Sequence, residues 1–170
     1  MMIRRLLLLS AGCMAALALS LPAPAPAAPG WLTYKGAWFD IKHPQGFVVR
    51  ESLPSATSTR GYDSVFFTSP DGLVEFYVYS PQWSGEPTDI LPNPLMEVVT
   101  DRKEQRGKDR TVLFLTLKAK DGSYWRSLAD TRTVHNTRTV FGIKYLNMAG
   151  YEKYRPDYLR FKQSLRQYAD

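Results

Sequence analysis

Cysteine occurs once in the 170 residues, at Cys13, and histidine twice, at His43 and His135. A lone thiol excludes an internal disulfide. Two histidines with no second histidine or cysteine at ligand spacing argue against a zinc site. No serine stands in a Gly-x-Ser-x-Gly elbow, and no glycine-rich phosphate loop follows a strand. Catalysis therefore ranks last among the functional readings, and no cofactor is expected. A long apolar run is also missing: Leu6–Leu21 falls short of the roughly 20 apolar residues a membrane span needs.

That run has a different reading. It follows Arg4 and Arg5 and leads into the small residues of "PAPAPAAPG", the layout of a secretory signal peptide. Ala25-Pro26-Ala27 makes Ala27 the expected last residue of the leader, because cutting after Ala25 or Ala28 would put a proline next to the scissile bond. The alternative is a lipid anchor on Cys13 in "LSAGC". Cleavage at Ala27 leaves no cysteine, so the exported fold must rest on its core alone. The expected division is 1–27 leader, 28–34 short N-terminal segment, and 35–170 one domain, with the periplasm or an equivalent lumen as its compartment.

Charge is uneven along the chain. Residues 28–100 carry 4 Lys or Arg against 8 Asp or Glu, whereas 101–170 carry 16 against 8. Antiparallel pairing is expected to mix the halves and dissolve the asymmetry. The other reading is a basic face for an anionic partner or surface.

Period and punctuation place the elements. "AWFDIKHPQGFVV" reads as strand, turn and extended piece, and "RESLPSATSTRGYD" as a polar loop. Ser69-Pro70-Asp71-Gly72 is a type I turn signature between two apolar strands. On the second of these, Val74, Phe76 and Val78 share one face, a core face; Leu73, Glu75, Tyr77 and Tyr79 share the other. "SPQWSGEPTDILPNP" breaks regular structure and is a loop placed to cover a face. "LMEVVTDRKEQR" leans to strand through Val98-Val99-Thr100. Asp121-Gly122 predicts a type I′ hairpin that sets Lys118 opposite Trp125 and Leu115 opposite Leu128. Both faces of that hairpin are partly apolar, so cover is expected on both sides. "TRTVFGIKYL" is the expected last strand. Tyr151, Tyr154, Tyr158, Phe161, Leu165 and Tyr168 then form one helical stripe, with Pro156 opening a new helix.

Three sets of residues are candidates for binding. Arg102, Lys103, Arg106, Lys108 and Arg110 gather at one hairpin turn, diluted by Asp101, Glu104 and Asp109. Without interleaved aromatics they suit an acidic protein or anionic surface rather than nucleic acid. Tyr77, Tyr79 and Trp83 could form an aromatic platform; the competing reading packs them beneath another element. Arg126 and Asp130 flank Leu128 on an apolar face, either reaching solvent near a sheet edge or anchored to covering loops.

"FDIKHPQGF" is similar to the opening strand and turn of PsbP-like proteins at Phe39, Ile41, Pro44, Gly46 and Phe47. "LRFKQSLRQY" resembles that family's terminal helix at Phe161, Ser164 and Leu165. The resemblance implies an antiparallel sheet flanked by helices and a non-catalytic accessory role, assisting a membrane-bound complex or binding a protein partner. It carries no ligand or partner-contact residue onto this chain, and the stretch 50–63 lacks a period for an early helix.

The expected fold is α+β: a twisted antiparallel sheet of six to eight strands with a C-terminal helix on one face, an α/β/α sandwich being the alternative. The expected function is an exported accessory or binding protein. Second comes a small-ligand carrier with its cleft under the 82–94 loop.

Overall fold

The computed structural model describes residues 30–168. The leader, its cleavage at Ala27 and the anchor at Cys13 lie outside the described residues. Ten strands and one helix follow in order: β1 Trp31–Lys35, β2 Phe39–Pro44, β3 Val48–Glu51, β4 Ser64–Thr68, β5 Val74–Tyr79, β6 Glu97–Arg106, β7 Arg110–Ala119, β8 Trp125–Thr133, β9 Arg138–Tyr145, α1 Met148–Gln163 and β10 Arg166–Gln167. Seven strands form one antiparallel sheet in the order β3-β4-β5-β9-β8-β7-β6, and β1-β2-β10 form a small second sheet.

The turns explain the registers. Gly72 and Gly122 both take positive φ, 69° and 77°, which an L side chain would resist. Each ends the same device: Gly72 N–H donates to Ser69 O and Gly122 N–H to Ala119 O, both at about type I turn geometry. At Asp121-Gly122 this replaces the expected type I′ turn, because only the glycine is left-handed. The strand register is the same either way, Lys118 opposite Trp125 and Leu115 opposite Leu128. The segment at 97–106 is a strand throughout, with a bulge between Val99 and Asp101.

Layering is asymmetric. Val74, Phe76 and Val78 of β5 join Val65 and Phe67 of β4, Ile143 and Tyr145 of β9, Phe39 and Ile41 of β2, and Tyr154, Tyr158 and Phe161 of α1 in the main core. The small sheet and the helix thus cover one face together. Phe161 touches the rings of Phe67 and Phe76, each 5.3 Å away between centroids. On the opposite face the cover is the 82–94 loop, not a helix, so the α/β/α alternative is not adopted. The expected loop begins later than Arg50, because Arg50 and Glu51 complete β3; between 52 and 63 only an isolated bridge, Pro54 with Tyr62, is formed.

Two helix expectations change. Pro156 lies inside one continuous helix rather than opening a new one. It sits on the exposed side, where the carbonyl that loses its partner can be hydrated. The helix start is set instead by Asn147, whose side chain accepts the Gly150 N–H at 2.8 Å. At the other end Ser164 Oγ accepts the Lys42 N–H at 2.9 Å, fastening the helix terminus to β2. The stripe therefore ends at Phe161. Leu165 and Tyr168 follow the helix, and β10, not β9, is the last strand.

The charge asymmetry survives folding only in part. Strand order keeps β3, β4 and β5 at one end of the large sheet and β9, β8, β7 and β6 at the other. The two halves nevertheless meet where the expected mixing puts them: Glu97 pairs with Arg126, Glu86 with Arg132 and Arg138, and Asp71 with Lys153 of α1.

Candidate functional site

Antiparallel registers stack the loop-side residues into rows across the large sheet. One row runs Arg50, Phe66, Tyr77, Gly142, Leu128, Leu115, Arg102. Its neighbour runs Thr68, Glu75, Lys144, Arg126, Leu117, Val99. Gly142 is needed here: a Cβ would stand 3.0 Å from Leu128 Cδ2 and 3.2 Å from Tyr77 Cβ. Its absence leaves a low point in the floor, which the larger flanking side chains frame.

Two arginines fasten the 82–94 loop over this floor. Arg126, only 8 % exposed, donates from Nε and Nη2 to both carboxylate oxygens of Glu97 at 2.6 Å. It also donates to the carbonyls of Ile90 and Leu91 at 2.7 and 3.0 Å. Arg138 grips Asp130 in the same bidentate way at 2.9 and 2.7 Å and donates to Gly85 O. Planar guanidinium matched to carboxylate is the strong form of this contact. Of the two readings of Arg126 and Asp130, anchoring to the covering loop is the one observed; β8 is an interior strand, and both charges are engaged.

Burial raises the pKa of Tyr77, and the nearby Asp89 carboxylate, which accepts its hydroxyl at 2.7 Å, raises it further. Asp89 also accepts from Ser64 Oγ at 2.6 Å. Burial works against ionisation of Glu97, yet hydrogen bonds from Arg126, the Asn93 amide and Tyr124 outweigh it and hold the carboxyl below its usual range. Between loop and sheet remains a half-open cleft of about 320 Å³, at the small end of ligand pockets. Its rim includes Arg50, Glu75, Lys144 and Tyr124. Among the described residues no group of three His, Cys, Asp or Glu could hold a metal ion.

The sequence candidates separate in space. Tyr77 is 1 % exposed and packs with Tyr79, Phe66 and Leu128 in a second core beneath the loop, while Trp83 is 45 % exposed. They form no common open platform. The basic cluster splits across the sheet: Arg102 and Arg106, paired with Leu115 and Thr111, share the loop-side face, while Lys103, paired with Phe114, lies on the helix-side face. Arg110, two residues before Val112, falls on the helix side as well, and Lys108 sits in the turn. Arg106 is already bound to Glu104 at 2.6 Å.

Sequence reasoning missed Asp89, Glu97 and Lys144. Glu97 had one readable signal, a carboxylate at the start of the strand beside the loop that Arg126 would have to face. Asp89 had none.

No family model matches the chain, and no curated protein matches it in sequence. Among solved structures it is similar to the solution structure of cyanobacterial PsbP (CyanoP) from Synechocystis sp. PCC 6803, with a TM-score of 0.52 and 11 % identity over 88 % of this chain and 99 % of that one. Strand order, the covering helix and this likeness agree on the architecture: the chain has the PsbP-like fold.

Proposed function

We propose that this is an exported, non-enzymatic accessory protein that docks an acidic protein surface with the uncovered half of its large sheet. One observation carries the reading. The helix packs chiefly on β2, β5 and β9, with Phe161 also meeting Phe67 of β4, all at the end of the sheet away from β6 and β7. On the same face of β6, β7 and β8, Val98, Val112, Phe114 and Ala129 have no layer above them, and Phe114 is 37 % exposed. An apolar patch at the end of a sheet, with one half covered and the other bare, is the form an interface takes.

Charge selects the partner. Lys103, Arg110 and Lys118 frame the patch, with Asp101 the opposing carboxylate on this face of β6. Lys118 is held 5.1 Å from the Trp125 ring centroid, as its cross-strand position predicts. Such a face attracts an acidic rim and repels a basic one.

Affinity capture from native envelope extract, run with the mature protein and two variants, tests the proposal. Phe114→Asp should lose the partner, while Arg102→Gln with Arg106→Gln, on the opposite face, should keep it; capture should weaken with salt. Equal capture by a folded Phe114→Asp protein, or capture indifferent to salt, would refute it.

A further inference from the structure

The cleft under the 82–94 loop is left unused by the docking face, which lies on the other side of the sheet. Its groups differ in how fully they are engaged. Glu97 is taken up by Arg126, and Asp89 by the hydroxyls of Ser64 and Tyr77. Glu75 accepts from Thr68 Oγ1 at 3.2 Å and lies 3.6 Å from Arg50. Every carboxylate in the cleft therefore already holds donors.

Lys144 does not have its counterpart. It stands between Glu75 and Arg126 in the cross-strand row. Among the described residues, its ammonium takes part in no ion pair and instead sits 4.5 Å from the centroid of the Tyr124 ring. A ring face holds a cation in place without using its three N–H donors. Nearby, the Arg50 guanidinium carbon stands over the Phe66 ring, 4.0 Å from its centroid. The charged groups with spare donors are thus both cations, and they border a floor of Phe66, Tyr77 and Leu128. The exposed apolar side chains of Leu91 and Met96 stand at the opposite lip.

We propose that this cleft binds a small amphiphile with one anionic head, a carboxylate or a phosphate, seated on Lys144 and Arg50, its apolar body lying over Phe66 and Leu128 toward Leu91 and Met96. The volume, about 320 Å³, admits a short chain or a single ring system rather than a whole lipid.

Octanoate and octyl phosphate, each kept below its micelle-forming concentration, and octanol, kept below its solubility limit, are the probes. Amide spectra of the mature protein report the site through Gly142, which lies in the floor. Octanoate or octyl phosphate should shift the Gly142 amide and saturate, and octanol should bind about tenfold more weakly, the discrimination expected of a charge-assisted contact. Whichever anion binds more tightly identifies the head. Lys144→Met should abolish the preference for the anions over octanol, and Lys144→Arg should retain it. Lys153→Met, on the helix, should change nothing. Equal binding of octanoate and octanol, a preference that survives Lys144→Met, or an unmoved Gly142 amide with both anions would overturn the proposal.

Discussion

Removing Glu97 by Glu97→Ala strips a buried guanidinium of its counterion while leaving it in place. Breaking a buried pair from one side costs about 3–5 kcal/mol, most of it the uncompensated charge. Here Arg126 would still donate to Ile90 O and Leu91 O. That places the expected loss at the low end, about 3 kcal/mol. With a urea dependence of about 2 kcal/mol/M, the midpoint should fall by about 1.5 M. Arg126→Leu removes the cation instead and leaves two loop carbonyls unpaired, each costing about 1–3 kcal/mol. Glu97 then keeps the Asn93 N–H at 3.0 Å and the Tyr124 hydroxyl at 2.9 Å. Combining Arg126→Leu with Glu97→Ala should cost less than the two single changes together, by up to about 3 kcal/mol, because no charge stays buried alone. Hydrogen exchange at 82–95 should accelerate in either single variant before global unfolding does. The linkage has a definite sign. Glu97 has a depressed folded-state pKa, so its stabilisation is whole above the unfolded value near about 4.3 and is lost as pH falls through the folded one. A Glu97→Ala loss below 1 kcal/mol, or strict additivity in the double variant, would refute this account of how the loop is held.

Four further outcomes are expected. Phe161→Ala deletes a fully buried ring that touches Phe67, Phe76, Phe141 and Tyr158, and should cost about 3–5 kcal/mol by chemical denaturation. Burial lowers the pKa of His43, whose ring lies 4.9 Å from Phe67; its contribution is whole above about pH 6.5 and fades as pH drops through the folded value, so His43→Phe should flatten that part of the stability curve. Burial raises the pKa of Asp63, whose Oδ1 has no partner; ionising it opposes folding, so Asp63→Asn should raise the melting temperature at neutral pH and lose that advantage in acid, where the wild-type carboxyl is protonated. Intact-mass measurement of the secreted form should give a chain beginning at Ala28 without lipid, and a lipidated Cys13 would contradict it.

What could be read from the sequence was what depends on near neighbours. Asp71-Gly72 and Asp121-Gly122 place two hairpins because each needs a left-handed residue at one point, and glycine supplies it. The Tyr154, Tyr158, Phe161 spacing names the buried helix side for the same local reason. The ends of that helix were harder. Pro156 looked like a start because proline suits a first turn, but Asn147 offered a better cap, and an exposed carbonyl tolerates the lost bond. Faces beyond a single hairpin were harder still. The split of Arg102 from Lys103 follows from strand alternation alone, yet which side of the sheet each occupies depends on where α1 lands. The cleft was least legible, since Asp89, Glu97 and Lys144 come from a loop, a strand start and a strand end that only the fold brings together.

The order of strands in the large sheet also bears on time. β6, β7, β8 and β9 form an unbroken meander, each joined to the next by a short turn, whereas the seam between β5 and β9 joins Tyr79 to Val140 and Val74 to Tyr145. Closing a short turn loses little chain entropy, and closing that seam loses far more. The meander should therefore assemble early and wait, with its loop face and helix face both bare, until β5 arrives and brings the rest of the core. Pulse-labelled amides of β7 and β8 protected no sooner than those of β5 would speak against that sequence of events. An intermediate of this kind is a sheet with two open edges, and the edge that remains free in the finished protein, β6, has a bulge after Val99 and the charged run Asp101-Arg102-Lys103-Glu104 along it. Those features discourage strand-on-strand association. Their greatest value falls in the moments before the molecule is whole.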